Sequence, residues 1–420
     1  MSKPVFTISC PIDTYSGYGA RSRDLVKAII KLNKYDVKIL SQRWGNTRFG
    51  YLLDHNEEDL LSRIINKVEN PPEYWMQITV PNEFQRVGKF NIGCTAGMET
   101  TLVAAPWVEG CNRMDLILTS SNHSKQVFLE TAFNAINKQT KEESTLKINT
   151  PIEVVFEGVD ISKYFEKKST FDLESIKESF CYLFVGHWMQ GDFGHDRKNV
   201  GYTIKTFLET FKNKPNTPAL ILKSSTVNSS LLDQERMLKK IDLIRKSVKG
   251  KLPNIYILHG DLTDAEMNEL YNHPKVKVMV SHTKGEGFGR PLLEFTTTGK
   301  PIIASGWSGQ LDFLNKEDSI LLGGELENVH RSAAQKDMIL EQAKWFKPND
   351  QEVSKAYKES FKNYKQFIVP AKKQRRKILS SFTFDKMCEL VDSIFTNTNL
   401  VKEVPFQVEL ELPKLEQPKL

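Results

Sequence analysis

A chain of 420 residues is too long for one ordinary hydrophobic core, so two domains are expected. With 40% hydrophobic and 26% charged residues, the composition excludes a disordered chain, and no apolar run reaches bilayer-spanning length. The net charge of +6 admits an anionic ligand without marking a nucleic-acid binder.

The opening residues MSKPVFTISC pass straight into a strand pattern, so no secretory signal is expected and a cytoplasmic location is. Cys10, Cys94, Cys111, Cys181 and Cys388 are odd in number and lack CxxC spacing, which predicts reduced thiols and no metal site. The terminal Pro418-Lys419-Leu420 shares only its last two residues with a peroxisomal signal and is set aside.

Residues 5–10 read as a first strand, followed by Gly17-Tyr18-Gly19 and a helix over 20–32 with Leu25, Ala28, Ile29 and Leu32 on one face. A second strand follows at 37–40. A glycine turn between a first strand and its helix suits an anion or nucleotide, although SGYGAR lacks dinucleotide GxGxxG spacing. Further strands are predicted at 74–80, 89–94, 115–120 and 153–157, and helices at 57–68 and 123–135. The polar stretch 137–149 reads as an exposed loop. Together these form a first α/β domain, 1–168.

The pattern restarts with a buried-strand run over 181–187, CYLFVGH, ending in Gly186 and His187. Arg197 and Lys198 precede a helix over 200–211. Strand 219–223, helix 231–248, strand 254–259 and helix 264–271 follow. Repeated strand–helix units of this kind predict a parallel sheet clothed by helices, here a second domain over 175–375. A helix over 384–395 closes the ordered pattern. The basic run 372–377 reads as a solvated helix face, and the Pro-, Glu- and Lys-rich stretch 398–420 as a mobile tail.

The stretch with the most chemistry lies at 276–313. An apolar strand, 276–280, runs into Lys284-Gly285-Glu286-Gly287-Phe288-Gly289, then a helix begins near Pro291 and a strand follows at 301–305. In open α/β sheets ligands bind at such carboxyl-end loops. Glycines admit close approach to the main chain, and each of Glu286 and Glu294 has the acceptors to hold a pair of vicinal hydroxyls.

EGFGRPLLE, two glutamates separated by seven residues, resembles the signature of glycosyltransferase family 4. Phe156-Glu157-Gly158-Val159-Asp160 is similar to the stretch that leads into that family's hinge, with Glu157 in the usual Asn place. The resemblance implies a GT-B fold: two Rossmann-like parallel-sheet domains facing a cleft, with helix 380–397 crossing back to the first. It implies transfer of a sugar from a nucleotide-diphosphate donor, a UDP-sugar first, to a hydroxyl acceptor, with retention and without a metal or other cofactor. Lys198 takes the family's diphosphate-binding lysine place. His187 stands where an arginine is usual, and Arg197 is the candidate for the missing charge. Lys223 is a further phosphate candidate, and Asp261 and Leu262 offer main chain to the base. Glu286, Gly287, Phe288, Gly289 and Glu294, with Gly17, Tyr18 and Gly19, complete the expected donor site. Glu286, Lys198 and Glu99 are the catalytic candidates. Glu99, in CTAGMETT, replaces a histidine common in the family and either faces the cleft or pairs within its own domain.

Two rival readings remain: a GT-B sugar-nucleotide epimerase, and a sugar-nucleotide-binding interaction protein without catalysis. The acceptor class (small molecule, glycan, protein or modified nucleic acid), the sugar, the base and the oligomeric state are not written in these residues. His123 and His282 read as structural or solvated histidines rather than bases.

Overall fold

The computed structural model describes residues 3–136, 143–226 and 230–398. The stretch read as a mobile tail lies outside these residues except for Thr398.

Strand β1 (Val5–Cys10), helix α1 (Gly17–Leu32) and strand β2 (Asp36–Ser41) form the first parallel unit. Ser16 caps α1 by accepting a hydrogen bond from the Gly19 N–H at 2.9 Å. Two short helices, α2 (Tyr51–Asp54) and α3 (Glu58–Ser62), lead to the edge strand β3 (Ile64–Ile65). Strands β4 (Tyr74–Ile78) and β5 (Phe90–Cys94), helix α4 (Ala105–Cys111), strand β6 (Leu116–Thr119) and helix α5 (Asn122–Glu130) follow. Strands β7 (Ala132–Ile136) and β8 (Glu143–Lys147) form an antiparallel pair, and β9 (Ile152–Val154) ends the set. The sheet order is β3-β2-β1-β4-β5-β6-β9, with every neighbour parallel.

The second sheet has the order β12-β11-β10-β13-β14-β15, also all parallel. It is built from β10 (Cys181–Val185), α6 (Val200–Phe211), β11 (Ala219–Lys223), α7 (Leu231–Ser247), β12 (Ile255–Leu258) and α8 (Asp264–Asn272). Strand β13 (Val276–Ser281), α9 (Arg290–Thr296), β14 (Ile302–Ser305) and β15 (Ile320–Leu322) complete it. An antiparallel hairpin, β16 (Gly324–Asn328) and β17 (Lys344–Pro348), precedes α10 (Asp350–Lys362), α11 (Tyr364–Ser381) and α12 (Phe384–Asn397). Among the described residues no helix is long and apolar enough to cross a membrane.

Both sheets reverse strand order once, between β1 and β4 and between β10 and β13. A crevice opens at the carboxyl ends of the strands at such a reversal. The turn holding Gly17 follows β1, while the loops holding His187 and Glu286 follow β10 and β13. Topology therefore gathers the sequence candidates at these switch points. Helix α12 lies on α1, and its Met387, Cys388, Val391, Ile394 and Phe395 are buried in one core with Phe6, Ile8 and Leu25.

Several elements differ from the sequence reading. The helix expected over 123–135 stops at Glu130 and gives way to β7, while the described part of the expected loop 137–149 contains β8. The helix expected over 57–68 is only α3, because Ile64 and Ile65 pair with β2 as an edge strand. Helix α10 was not anticipated, although Val353, Ala356, Tyr357 and Ser360 lie on its buried face at helical spacing. All five cysteines are buried and free, and burial pushes their thiols up.

Candidate active site

Four charged side chains meet where the two sheets' carboxyl ends face each other. Lys198 Nζ lies 2.6 and 2.7 Å from the two carboxylate oxygens of Glu286. Arg197 Nη1 lies 3.3 Å from Glu286 and 3.2 Å from Glu99. Glu99, on the loop after β5, thus pairs across the cleft rather than within its own domain.

Local geometry fixes this cluster. Arg197 and Lys198 end the loop before α6, whose first residue is preceded by Asn199 in the left-handed region, φ 56°. The Asn199 side chain donates to the His282 carbonyl at 3.1 Å, tying the loop to the end of β13. Lys284 N–H in turn donates to the Arg197 carbonyl at 2.8 Å. Glu286 is held from its own main chain: its N–H donates to Ser308 Oγ at 2.9 Å, and its carbonyl accepts from Gly309 at 3.0 Å.

Burial pushes the Glu286 carboxyl up, but Lys198 and Arg197 outweigh it and hold the pKa below the usual value. Burial opposes the charge of Arg197, yet Glu99 and Glu286 more than offset it, so its pKa is raised. For Lys198, burial and the neighbouring Arg197 act together against the ammonium, and its pKa is lowered despite Glu286. Two cations are thus held out of water by two carboxylates, in a place that an incoming anion can contest.

A second charge cluster surrounds Glu294. Arg290 Nε donates to Glu294 Oε1 at 2.9 Å, and the Tyr271 hydroxyl donates to Oε2 at 3.3 Å. Arg290 also donates through Nη1 to Asp24 of α1, joining the two domains. Burial opposes the Arg290 charge, but Asp24, Glu294 and Glu157 raise its pKa well above the ordinary value. Burial pushes Glu294 up to about 7, against the pull of Arg290. A carboxyl whose folded pKa is raised favours folding while protonated, and that advantage is lost as pH rises from about 4.5 through 7. Glu294→Gln is therefore expected to gain thermal stability relative to the native chain between pH 5 and pH 8, by several degrees at the upper end (order of magnitude). Melting curves of both proteins across that range check this. A constant difference would remove Glu294 from the pH dependence.

The glycine loop is pressed against the first domain. A Cβ at Gly285 would lie 1.9 Å from the Glu99 carbonyl oxygen, and one at Gly287 would lie 2.1 Å from that of Ala96. Ser120 Oγ donates to the Gly287 carbonyl at 3.0 Å, and the Asn122 N–H to Asp312 at 2.9 Å. Phe288 is buried against Phe313, ring centroids 5.0 Å apart, so its side chain belongs to the second core. Gly289 takes φ 103° as the cap of α9, a conformation that favours glycine.

The remaining candidates line the crevice at greater spread. Tyr18 stacks on Trp44 with centroids 4.0 Å apart and shares a hydrogen bond with Thr95 at 2.9 Å. Gly17 is exposed, whereas Gly19 is buried against Thr14. His187 is open to water at the crevice mouth, its Nδ1 3.2 Å from Ser225 Oγ. Desolvation by surrounding protein, then Lys198 and Lys223, hold its imidazole below the ordinary pKa. Lys223 donates to the Gly260 carbonyl, next to exposed Asp261 and half-buried Leu262.

Two expected bystanders are confirmed as packing residues. Burial lowers His123 to about 4 and His282 to about 3, and His282 lies edge-on to Tyr202 and Tyr357. In the basic run, Lys373 and Arg375 pair on the surface with Glu317 and Glu166.

Sequence reasoning missed Asp24, Arg290 and the docking of the 324–348 segment. Arg290 stood inside the quoted motif as a charge at a helix start, but Asp24 carried no signal. In the hairpin segment, the Lys344 carbonyl accepts from the Thr101 N–H at 2.9 Å, and Met338 and Leu340 pack on the first domain's core. Lys284, almost fully buried, pairs with Glu327 of that hairpin at 2.6 Å.

No family model matches this chain, and neither does any curated protein. Solved structures do. A glycosyltransferase from Rickettsia africae ESF-5 is 14% identical with a TM-score of 0.61, covering 95% of this chain and 99% of that one. Anabaena Alr3699/HepE in complex with UDP-glucose is 11% identical with a TM-score of 0.62, covering 94% and 100%. Sucrose-phosphate synthase from Thermosynechococcus elongatus is 10% identical with a TM-score of 0.59, covering 94% and 98%. At such identities the likeness is one of architecture, and it agrees with the two parallel sheets meeting at their switch points: the chain has the GT-B fold.

Proposed function

We propose that this chain is a glycosyltransferase of the family 4 type. It would move a sugar from a nucleotide-diphosphate donor, a UDP-sugar first, to a hydroxyl acceptor, with retention and without a metal ion. The observation that carries the reading is the Glu99–Arg197–Glu286–Lys198 cluster at the meeting of the two switch points. Solved relatives of the same fold that hold UDP and UDP-glucose support the choice of donor.

In this reading the donor's diphosphate displaces Glu286 from Lys198 and Arg197, and the freed carboxylate holds hydroxyls of the transferred sugar. The bond from the anomeric carbon to the phosphate oxygen breaks, and its electron pair goes to that oxygen. The acceptor oxygen bonds to the same face of the sugar, and its proton passes to the departing phosphate. Lys198 and Arg197 neutralise the charge that develops there. Glu99 orients Arg197 from the acceptor-side domain. Glu294 receives the ribose, and main chain at Asp261 and Leu262 meets the base. His187 and Lys223 flank the phosphates, and the Gly17-Tyr18-Gly19 turn backs the sugar. The acceptor side is then residues 1–168 with 380–397, the donor side 175–375, and the setting cytoplasmic.

A donor screen tests this. Melting is followed with UDP, GDP, ADP and CMP, and slow hydrolysis with their sugars. UDP is expected to raise the melting temperature by several degrees, in line with about 2 to 4 kcal/mol of linkage at saturation. Hydrolysis of one UDP-sugar is expected to continue undiminished in chelator. No stabilisation by any nucleotide would overturn the donor reading. Loss of activity in chelator, restored by Mn²⁺, would overturn the metal-free mechanism.

A further inference from the structure

The two faces of the first sheet are packed by different cores. Along β1, β2 and β4 the residues Phe6, Ile8, Val37, Ile39, Tyr74 and Met76 point to the side covered by α1 and α12. The connection from β2 to β3 lies on that side too, because Leu52 of α2 and Leu60 of α3 are buried in the same core. The alternate residues, among them Ser9, Leu40, Trp75 and Gln77, face the other way. Parallel sheets are normally covered on both faces and apolar on both. Here Ser9, Trp75 and Gln77 are themselves buried, and with Val68 and Val87 of the adjoining loops they line a groove of about 520 Å³.

Its lining has a consistent chemistry. The floor is Trp75 and Leu40, and Val68 and Val87 add aliphatic surface. Trp75 is 4% exposed, and its indole N–H is buried with no acceptor among the described residues. Gln77 is held at both ends of its amide: it donates to the Glu83 carbonyl at 3.0 Å and accepts from the Gln85 N–H at 2.9 Å, which fixes the rim. Gln42 donates to Ser9 Oγ, leaving its amide oxygen without a partner among the described residues. The Gln85 amide, at the rim, likewise has none there.

No lysine or arginine lines the groove, which disfavours a phosphate, a nucleotide or a carboxylate ligand. An aromatic and aliphatic floor ringed by amides, a hydroxyl and the Glu83 carboxylate suits a molecule with C–H faces and many hydroxyls. We propose that this groove binds an uncharged carbohydrate, at a subsite separate from the donor cleft. Gln42 lies just beyond the end of β2, and two residues on, Trp44 stacks on Tyr18 of the cleft. The assignment rests on the groove's own chemistry and stands whether or not the donor reading holds.

The test is equilibrium binding of maltotriose, mannotriose and chitotriose to the full chain, followed by saturation-transfer NMR and calorimetry. At least one is expected to bind saturably. Binding is expected to weaken about tenfold or more in Gln42→Ala/Gln85→Ala, which removes amide partners, and in Val87→Trp, which fills the groove. The melting shift given by UDP should be unchanged in both variants. Both changes lie at the rim, and if one variant fails to fold the other decides. No saturable binding of any of the three sugars would overturn the proposal, as would binding unaffected by the groove changes.

Discussion

Lys198→Ala is expected to lower turnover at saturating donor by about a hundredfold or more, the loss typical of removing one preorganised group that meets developing charge. The same change should weaken UDP binding while leaving uridine binding nearly untouched, because the lysine faces the diphosphate and not the nucleoside. Two effects must be separated. Lys198 also offsets the buried Glu286 charge, and breaking such a pair commonly destabilises by about 3 to 5 kcal/mol. Arg197 remains 3.3 Å from Glu286, so the loss should lie at or below the lower end of that range. Melting curves, followed by kinetics at a temperature where the variant is folded, separate the two. Equal UDP affinity in variant and parent would show that Lys198 meets no phosphate.

Gly285→Ala is expected to abolish closure of the cleft without unfolding either domain. The added methyl would meet the Glu99 carbonyl oxygen at 1.9 Å, and a main-chain atom cannot rotate aside as a side chain can. The least costly response is for the two domains to part. A displacement of about 1 Å at reacting groups can cost about a hundredfold in rate, so turnover should fall at least that far. UDP should still bind, since the second sheet and its loops are intact. Small-angle scattering should report a larger radius of gyration with donor present than the parent shows. Turnover in the variant close to that of the parent would refute a steric role for Gly285.

Strands and helices that pack on both sides were legible from sequence. Strand 219–223 and helix 200–211 lie where the apolar runs placed them, since a fully buried element allows one period and little drift at its ends. The elements given the wrong type, β3 and β7, lie outside the sheet interiors. After Glu130 the helical spacing of Val127 and Phe128 was extended through Thr131 and Phe133, where β-branched and aromatic residues in a hairpin won instead. The site shows the same division. Glu286, the glycines and Glu294 were readable because one loop and one turn of helix hold them all. Asp24–Arg290 and Glu99–Arg197 were not, since each joins surfaces distant along the chain and a lone charge does not reveal its partner.

Helix α12 gives the first core a consequence for the order of biosynthesis. The apolar wall formed by Phe6, Ile8, Val26 and Ile29 is finished by Val391 and Phe395, residues translated only after the whole second sheet. The second sheet, over 181–322, has already emerged by then and contains its own strands in full. The domain of the first sheet must therefore wait, with an apolar stripe uncovered, until α12 has been made. Holding factors that shield nascent apolar surface would act on that stripe while the whole second sheet is being translated.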